Sequence, residues 1–60
     1  MQSIYLKDYN PAMGTLIDVE DASIYKMHHL DGAINIPYLQ LTYQFQELLD
    51  KNKKYYIYCN

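Results

Sequence analysis

The sequence predicts an α/β protein with three layers built on a mainly parallel sheet, and three observations carry that prediction. Short apolar runs alternate with helical segments in the order β, β-α, β-α, β, the pattern of strands joined by crossover helices. The run Thr15-Leu16-Ile17-Asp18-Val19 is apolar without alternation until Asp18, as a strand covered on both faces requires. Leu41, Phe45, Leu48 and Leu49 recur at i, i+4, i+7 and i+8, the stripe of a helix lying on a sheet.

Each element follows from local chemistry. A first strand is expected around Ser3–Leu6, with Asn10-Pro11 and Gly14 marking the loop before the second strand at Thr15–Val19. Asp21 is a candidate N-cap for a short helix through Met27, with Ile24 and Met27 three apart on one face. The pair Asp31-Gly32 makes a turn, and Ala33–Ile36 a third strand closed by Pro37, whose missing N–H ends the ladder. After the second helix, Lys51, Lys53 and Lys54 stand where cations complement a helix C-terminus. Tyr55–Cys59 is a last strand of strong β formers that ends at the cysteine.

Composition bounds what such a chain can do. Its 60 residues are 50% apolar and 20% charged, with a net charge of -2, and they describe at most one small domain, residues 1–60. A chain of this size buries about 60% of its unfolded surface and usually needs a covalent or metal staple. Neither is expected: Cys59 has no partner for an internal disulfide, and two histidines with one thiol fall short of a zinc site, so no metal or cofactor is assigned. Positive charge comes from five lysines and no arginine, which argues against a nucleic-acid surface. There is no basic segment followed by an apolar leader and no run of the ~18–20 apolar residues that span a bilayer, so a cytoplasmic location without membrane attachment is expected. The eight tyrosines read as fillers of half-buried strands and helix faces. Two helices cannot readily cover four strands on two faces, so the chain is expected to be the N-terminal part of a domain nearer about 100 residues.

In open α/β sheets ligands gather beyond the carboxyl ends of the strands, and that is where Cys59 falls. A tight loop after it, leading into a helix, would offer N–H groups to a thiolate and to an incoming anion. The stretch Leu16-Ile17-Asp18-Val19, then His29-Leu30-Asp31-Gly32-Ala33-Ile34-Asn35-Ile36-Pro37, then Tyr56-Ile57-Tyr58-Cys59, resembles the rhodanese-like sulfurtransferase domain over nearly the whole chain. The second of these stretches, joined to a strand ending Tyr-Cys, is the specific part of the resemblance.

The resemblance implies a rhodanese-like fold, incomplete in this chain and cut just after the active-site cysteine. It makes Cys59 the nucleophile that takes sulfane sulfur from a donor such as thiosulfate or a persulfide and passes it, through a cysteine persulfide, to a thiol or cyanide-like acceptor. Asn60 would begin the substrate-binding loop. Asp18 would tie loops together by hydrogen bonds, His29 would hold a turn without acting as a base, and Gly32 and Asn35 would serve turn and strand geometry. Glu20 departs from the pattern, since arginine is common there. His28 and His29, about 100° apart on a helix, cannot chelate a metal together. With most of the loop outside the sequence, this piece is expected to be inactive, because one oxyanion-type donor alone is worth ~10²–10³ in rate.

Two other functions fit the same residues: a phosphatase or arsenate reductase on this fold, and a non-catalytic binding or regulatory module. Loop length would separate them. The family also places a fifth strand between the fourth and the first. Its absence predicts that Ser3–Leu6 is detached or paired with another copy, that the face of Tyr55–Cys59 is sticky, and that self-association by strand exchange follows.

Overall fold

The computed structural model describes residues 2–3 and 6–59, with side chains from 6 to 59. Four strands and two helices follow one another as β1 (Gln2–Ser3), β2 (Thr15–Asp18), α1 (Ala22–Met27), β3 (Ile34–Asn35), α2 (Tyr38–Leu48) and β4 (Tyr55–Tyr58). The strands form one sheet in the order β1-β4-β2-β3, and every pair is parallel. The expected α/β architecture is therefore present, with β4 and β2 at its centre.

Side-chain alternation along the two central strands divides the core. Leu16, Tyr56 and Tyr58 pack with Ala33 on one face, joined by Tyr9, Met13, Tyr25 and Leu30. Ile17 and Tyr55 pack with Ile36 and Leu41 on the other, joined by Val19, Leu49 and Ile57. Tyr25 brings α1 to the first face and Leu41 brings α2 to the second, giving the three layers. Ile17 is wholly buried, so β2 is covered on both sides as its unbroken apolar run requires.

The first strand differs from expectation. It is Gln2–Ser3, while Leu6–Asp8 winds into a 3-10 turn; positions 4 and 5 lie outside the described residues. Nor is it detached. Gln2 lies opposite Tyr56 and Ser3 opposite Ile57, so β1 occupies the outer edge of β4. An unpaired strand edge is a template for any strand within reach, and the chain's own N-terminal segment fills this one. Within the chain Tyr55, Tyr56 and Tyr58 are buried and Ile57 is half-buried.

Helix α1 starts where Asp21 predicts, but the Asp21 side chain makes no capping hydrogen bond. Its backbone carbonyl instead accepts from the N–H groups of Ile24 and Tyr25. Ile24 and Met27 face outward, and Tyr25 is the residue that packs inward. With six residues the helix has room for one anchoring side chain, and the Tyr25 hydroxyl fixes it by donating to Ala33 O at 2.6 Å. Helix α2 begins directly after Pro37, whose carbonyl accepts the Leu41 N–H at 2.9 Å. Leu41 is buried and Leu49 half-buried, whereas Phe45 and Leu48, on the same stripe, remain exposed.

The two central strands start from a close approach. Thr15 N–H donates to Lys54 O at 3.0 Å, and a Cβ on Gly14 would stand 2.6 Å from that carbonyl oxygen. Gly14 also has φ +155°, at the edge of the region that L side chains avoid. Only glycine lets the two chain segments meet here.

Candidate functional site

The parallel register lines up three residues at the carboxyl ends of the strands. Tyr58 of β4 lies opposite Asp18 of β2, and Asp18 lies opposite Asn35 of β3. By alternation all three belong to the face of the sheet that carries Leu16 and Tyr56. Cys59 is the next residue after this row, and it is exposed. The thiol thus stands at the carboxyl rim, beyond a strand flanked by β1 on one side and β2 on the other.

The row is held by hydrogen bonds that also bind the adjoining loops. Asn35 Nδ2 donates to Asp18 O at 3.0 Å and to Glu20 O at 2.9 Å, stitching β3 to the segment that leaves β2. Ile36 N–H adds a bond to Asp18 O, and Val19 N–H one to Tyr58 O. The Asp18 carboxylate is fully buried; Oδ1 accepts the Glu20 N–H at 2.8 Å, which folds the chain back as it leaves the strand. Glu20, where the family often has arginine, takes part here through its backbone.

The turn between α1 and β3 is tied to the same rim. Tyr58 accepts the Leu30 N–H at its hydroxyl oxygen, 3.1 Å away. His29 is exposed, stacks on Tyr25 with ring centroids 3.8 Å apart, and places Nδ1 2.8 Å from Tyr25 O. Gly32 has φ +83° and open space around it, so its role is to let the turn adopt a left-handed conformation. Burial pushes the Tyr58 phenol above its usual pKa; the Leu30 N–H works against that shift, and the nearby Asp18 carboxylate adds to it. Desolvation disfavours the phenolate, as does a neighbouring negative charge.

Of the residues singled out in the sequence, Asp18 and Asn35 meet at the rim beside the strand that delivers Cys59. His29 and Gly32 lie in the turn that Tyr58 clamps. Asn60 lies outside the described residues. Tyr58 and Tyr25 were not singled out, yet each bonds the backbone of the turn, through Leu30 N–H and Ala33 O. The available signal was parity: in a parallel pair that aligns Leu16 with Tyr56, Tyr58 must fall beside Asp18.

Comparison with protein families decides what this arrangement belongs to. The family model described as Rhodanese-like domain matches residues 4–60. The chain belongs to the rhodanese-like family. Neither a curated protein nor a solved structure gives a match. The rhodanese-like match begins just after β1 and runs past Cys59, so it includes Asp18, Asn35, Tyr58 and Cys59 at the rim. Among the described residues no helix is long and apolar enough to cross a membrane, and no three His, Cys, Asp or Glu side chains converge as metal ligands would.

Proposed function

We propose that this rhodanese-like protein is a sulfurtransferase that carries sulfane sulfur on Cys59. The observation that supports it is the placement of one exposed thiol directly after a central parallel strand, at the rim where open α/β sheets bind ligands. A thiolate at that point can attack the outer sulfur of thiosulfate. The S–S bond of the donor breaks, its electron pair leaves with sulfite, and the enzyme holds a persulfide anion. Attack by cyanide or a thiolate on the outer persulfide sulfur then returns the Cys59 thiolate and releases thiocyanate or a new persulfide. No electrons are gained or lost overall, so no cofactor is required.

Asp18, Asn35 and Gly32 act in this reading as the frame of the rim, and Asn60 as the first residue of the loop that receives the anion. The reading includes the proposal that residues 1–60 are the N-terminal part of the domain. The exposed Phe45 and Leu48 on the apolar stripe of α2 support it, because they leave large apolar side chains of that helix without cover. Small sulfur donors and thiol acceptors are the partners proposed.

The test is cyanolysis by the protein in its full natural length. Thiosulfate and cyanide should give thiocyanate, and Cys59→Ser should give none. Undiminished thiocyanate formation by the serine variant would refute the assignment.

A further inference from the structure

Asp18 is completely buried, and while Oδ1 accepts the Glu20 N–H, Oδ2 has no hydrogen-bond partner among the described residues. A buried carboxylate oxygen without a donor bears the full cost of losing water, and such atoms are rare in native proteins. The register supplies a candidate donor. Tyr58 lies directly opposite Asp18, on the same face of the sheet. Its hydroxyl oxygen accepts the Leu30 N–H, which engages a lone pair and leaves the hydroxyl proton free to rotate. The Asp18 carboxylate is near enough to oppose ionisation of the phenol, both by its charge and as an acceptor for the hydroxyl proton, although Oδ2 meets no donor in full hydrogen-bond geometry. The other titratable group facing Tyr58 is Tyr25, whose own hydroxyl is already donated to Ala33 O.

We propose that Tyr58 is a positioning residue for Cys59, its hydroxyl donating to Asp18 Oδ2 while accepting from Leu30 N–H. The resulting chain of bonds joins three segments at the rim: the turn after α1, the end of β2, and the end of β4 from which the thiol projects. A strand end held on both sides presents its next residue in one orientation, which an attacking sulfur needs. The proposal rests on the reading of Cys59 as the sulfur carrier, but the hydrogen bond itself can be judged without it.

Two measurements decide the matter. In proton NMR spectra of the unaltered protein, the Tyr58 hydroxyl should give a slowly exchanging signal close to the Leu30 N–H. That signal should vanish in Tyr58→Phe and move upfield in Asp18→Asn, whose neutral amide is a weaker acceptor. No protected hydroxyl signal, or one indifferent to Asp18→Asn, would overturn the bond. In single-turnover loading with thiosulfate, Tyr58→Phe should slow sulfur uptake at Cys59 about tenfold while leaving the half-saturating thiosulfate concentration unchanged, as a slightly misplaced nucleophile would. An unchanged rate would overturn the positioning role. Failure of the unaltered protein to load sulfur would instead refute the sulfur-carrier reading, and the hydroxyl signal would still report on the bond.

Discussion

Asn35→Ala removes two hydrogen bonds from one half-buried side chain, and the structure allows the cost to be worked out. The bond to Asp18 O is one of two on that oxygen, which keeps the Ile36 N–H; the bond to Glu20 O is the only side-chain tie between β3 and the loop that follows β2 among the described residues. Each neutral hydrogen bond contributes about 0.5–1.5 kcal/mol net, so the loss should be about 1–3 kcal/mol. That is a large share of the roughly 3–9 kcal/mol to be expected of 60 residues. Urea unfolding should show the midpoint falling with the m-value unchanged. Asn35→Asp sharpens the test. It keeps the shape but replaces two N–H donors with an acceptor facing two carbonyl oxygens beside the Asp18 carboxylate. It should be less stable than Asn35→Ala near neutral pH, with the difference narrowing as the new carboxyl protonates toward about pH 4. If the aspartate variant were as stable as the alanine variant near pH 7, the side chain could not be the donor bridge described.

The other predictions concern the close approach at the sheet's amino end, the buried phenol and the thiol. Gly14→Ala should lower the thermal midpoint more than Gly32→Ala, because its Cβ would press on the Lys54 carbonyl oxygen, whereas Gly32 has open space and costs only the ~1–2 kcal/mol of a left-handed backbone. Equal losses would remove the argument from close approach. The raised Tyr58 pKa means that the folded state holds its phenolic proton more tightly than the unfolded chain does. The stability it contributes is complete below the unfolded value of about 10 and is lost as pH rises through the higher folded value. Tyr58→Phe should therefore unfold less steeply with rising pH in the alkaline range, and a slope equal to that of the unaltered protein would contradict this. Cys59→Ser should change unfolding stability by less than about 0.5 kcal/mol, since the thiol is exposed. A larger loss in a urea titration would mean that the thiol supports the core.

The sheet was readable in the sequence where burial leaves a mark on composition. Leu16 and Ile17 are apolar on consecutive residues because β2 is covered on both faces, Leu16 packing with Tyr25 and Leu30 on one and Ile17 with Leu41 and Leu49 on the other. The last run of β formers put Cys59 at the end of the final strand, and the structure ends that strand one residue earlier, at Tyr58. What escaped depends on register and handedness of contact. Whether Ile24, Met27 or Tyr25 anchors α1 turns on about 100° of rotation in a six-residue helix, which apolar spacing alone does not determine. The pairing of β1 with β4 escaped because the expectation came from the family's five-strand order; a free edge accepts whichever strand lies nearest.

Tyrosine was the least legible residue type. Tyr9, Tyr25, Tyr55 and Tyr58 each bond a backbone group, at Gly14 O, Ala33 O, Asp50 N–H and Leu30 N–H, while Tyr38 and Tyr43 stand in solvent. A ring that fills a small core and a hydroxyl that clamps a loop are joined in one side chain, and this partly replaces the staples that a short chain lacks. The Asp18–Asn35 pairing at the rim shows the converse. The pattern of residues marked both positions, but the bonds they make needed the strands to be set side by side.

The most direct test uses thiosulfate labelled in its outer sulfur. After incubation and digestion, the label should remain on the peptide that contains Cys59 and leave it quantitatively when cyanide is added. Label that stays in solution, or that settles elsewhere on the chain, would contradict the account.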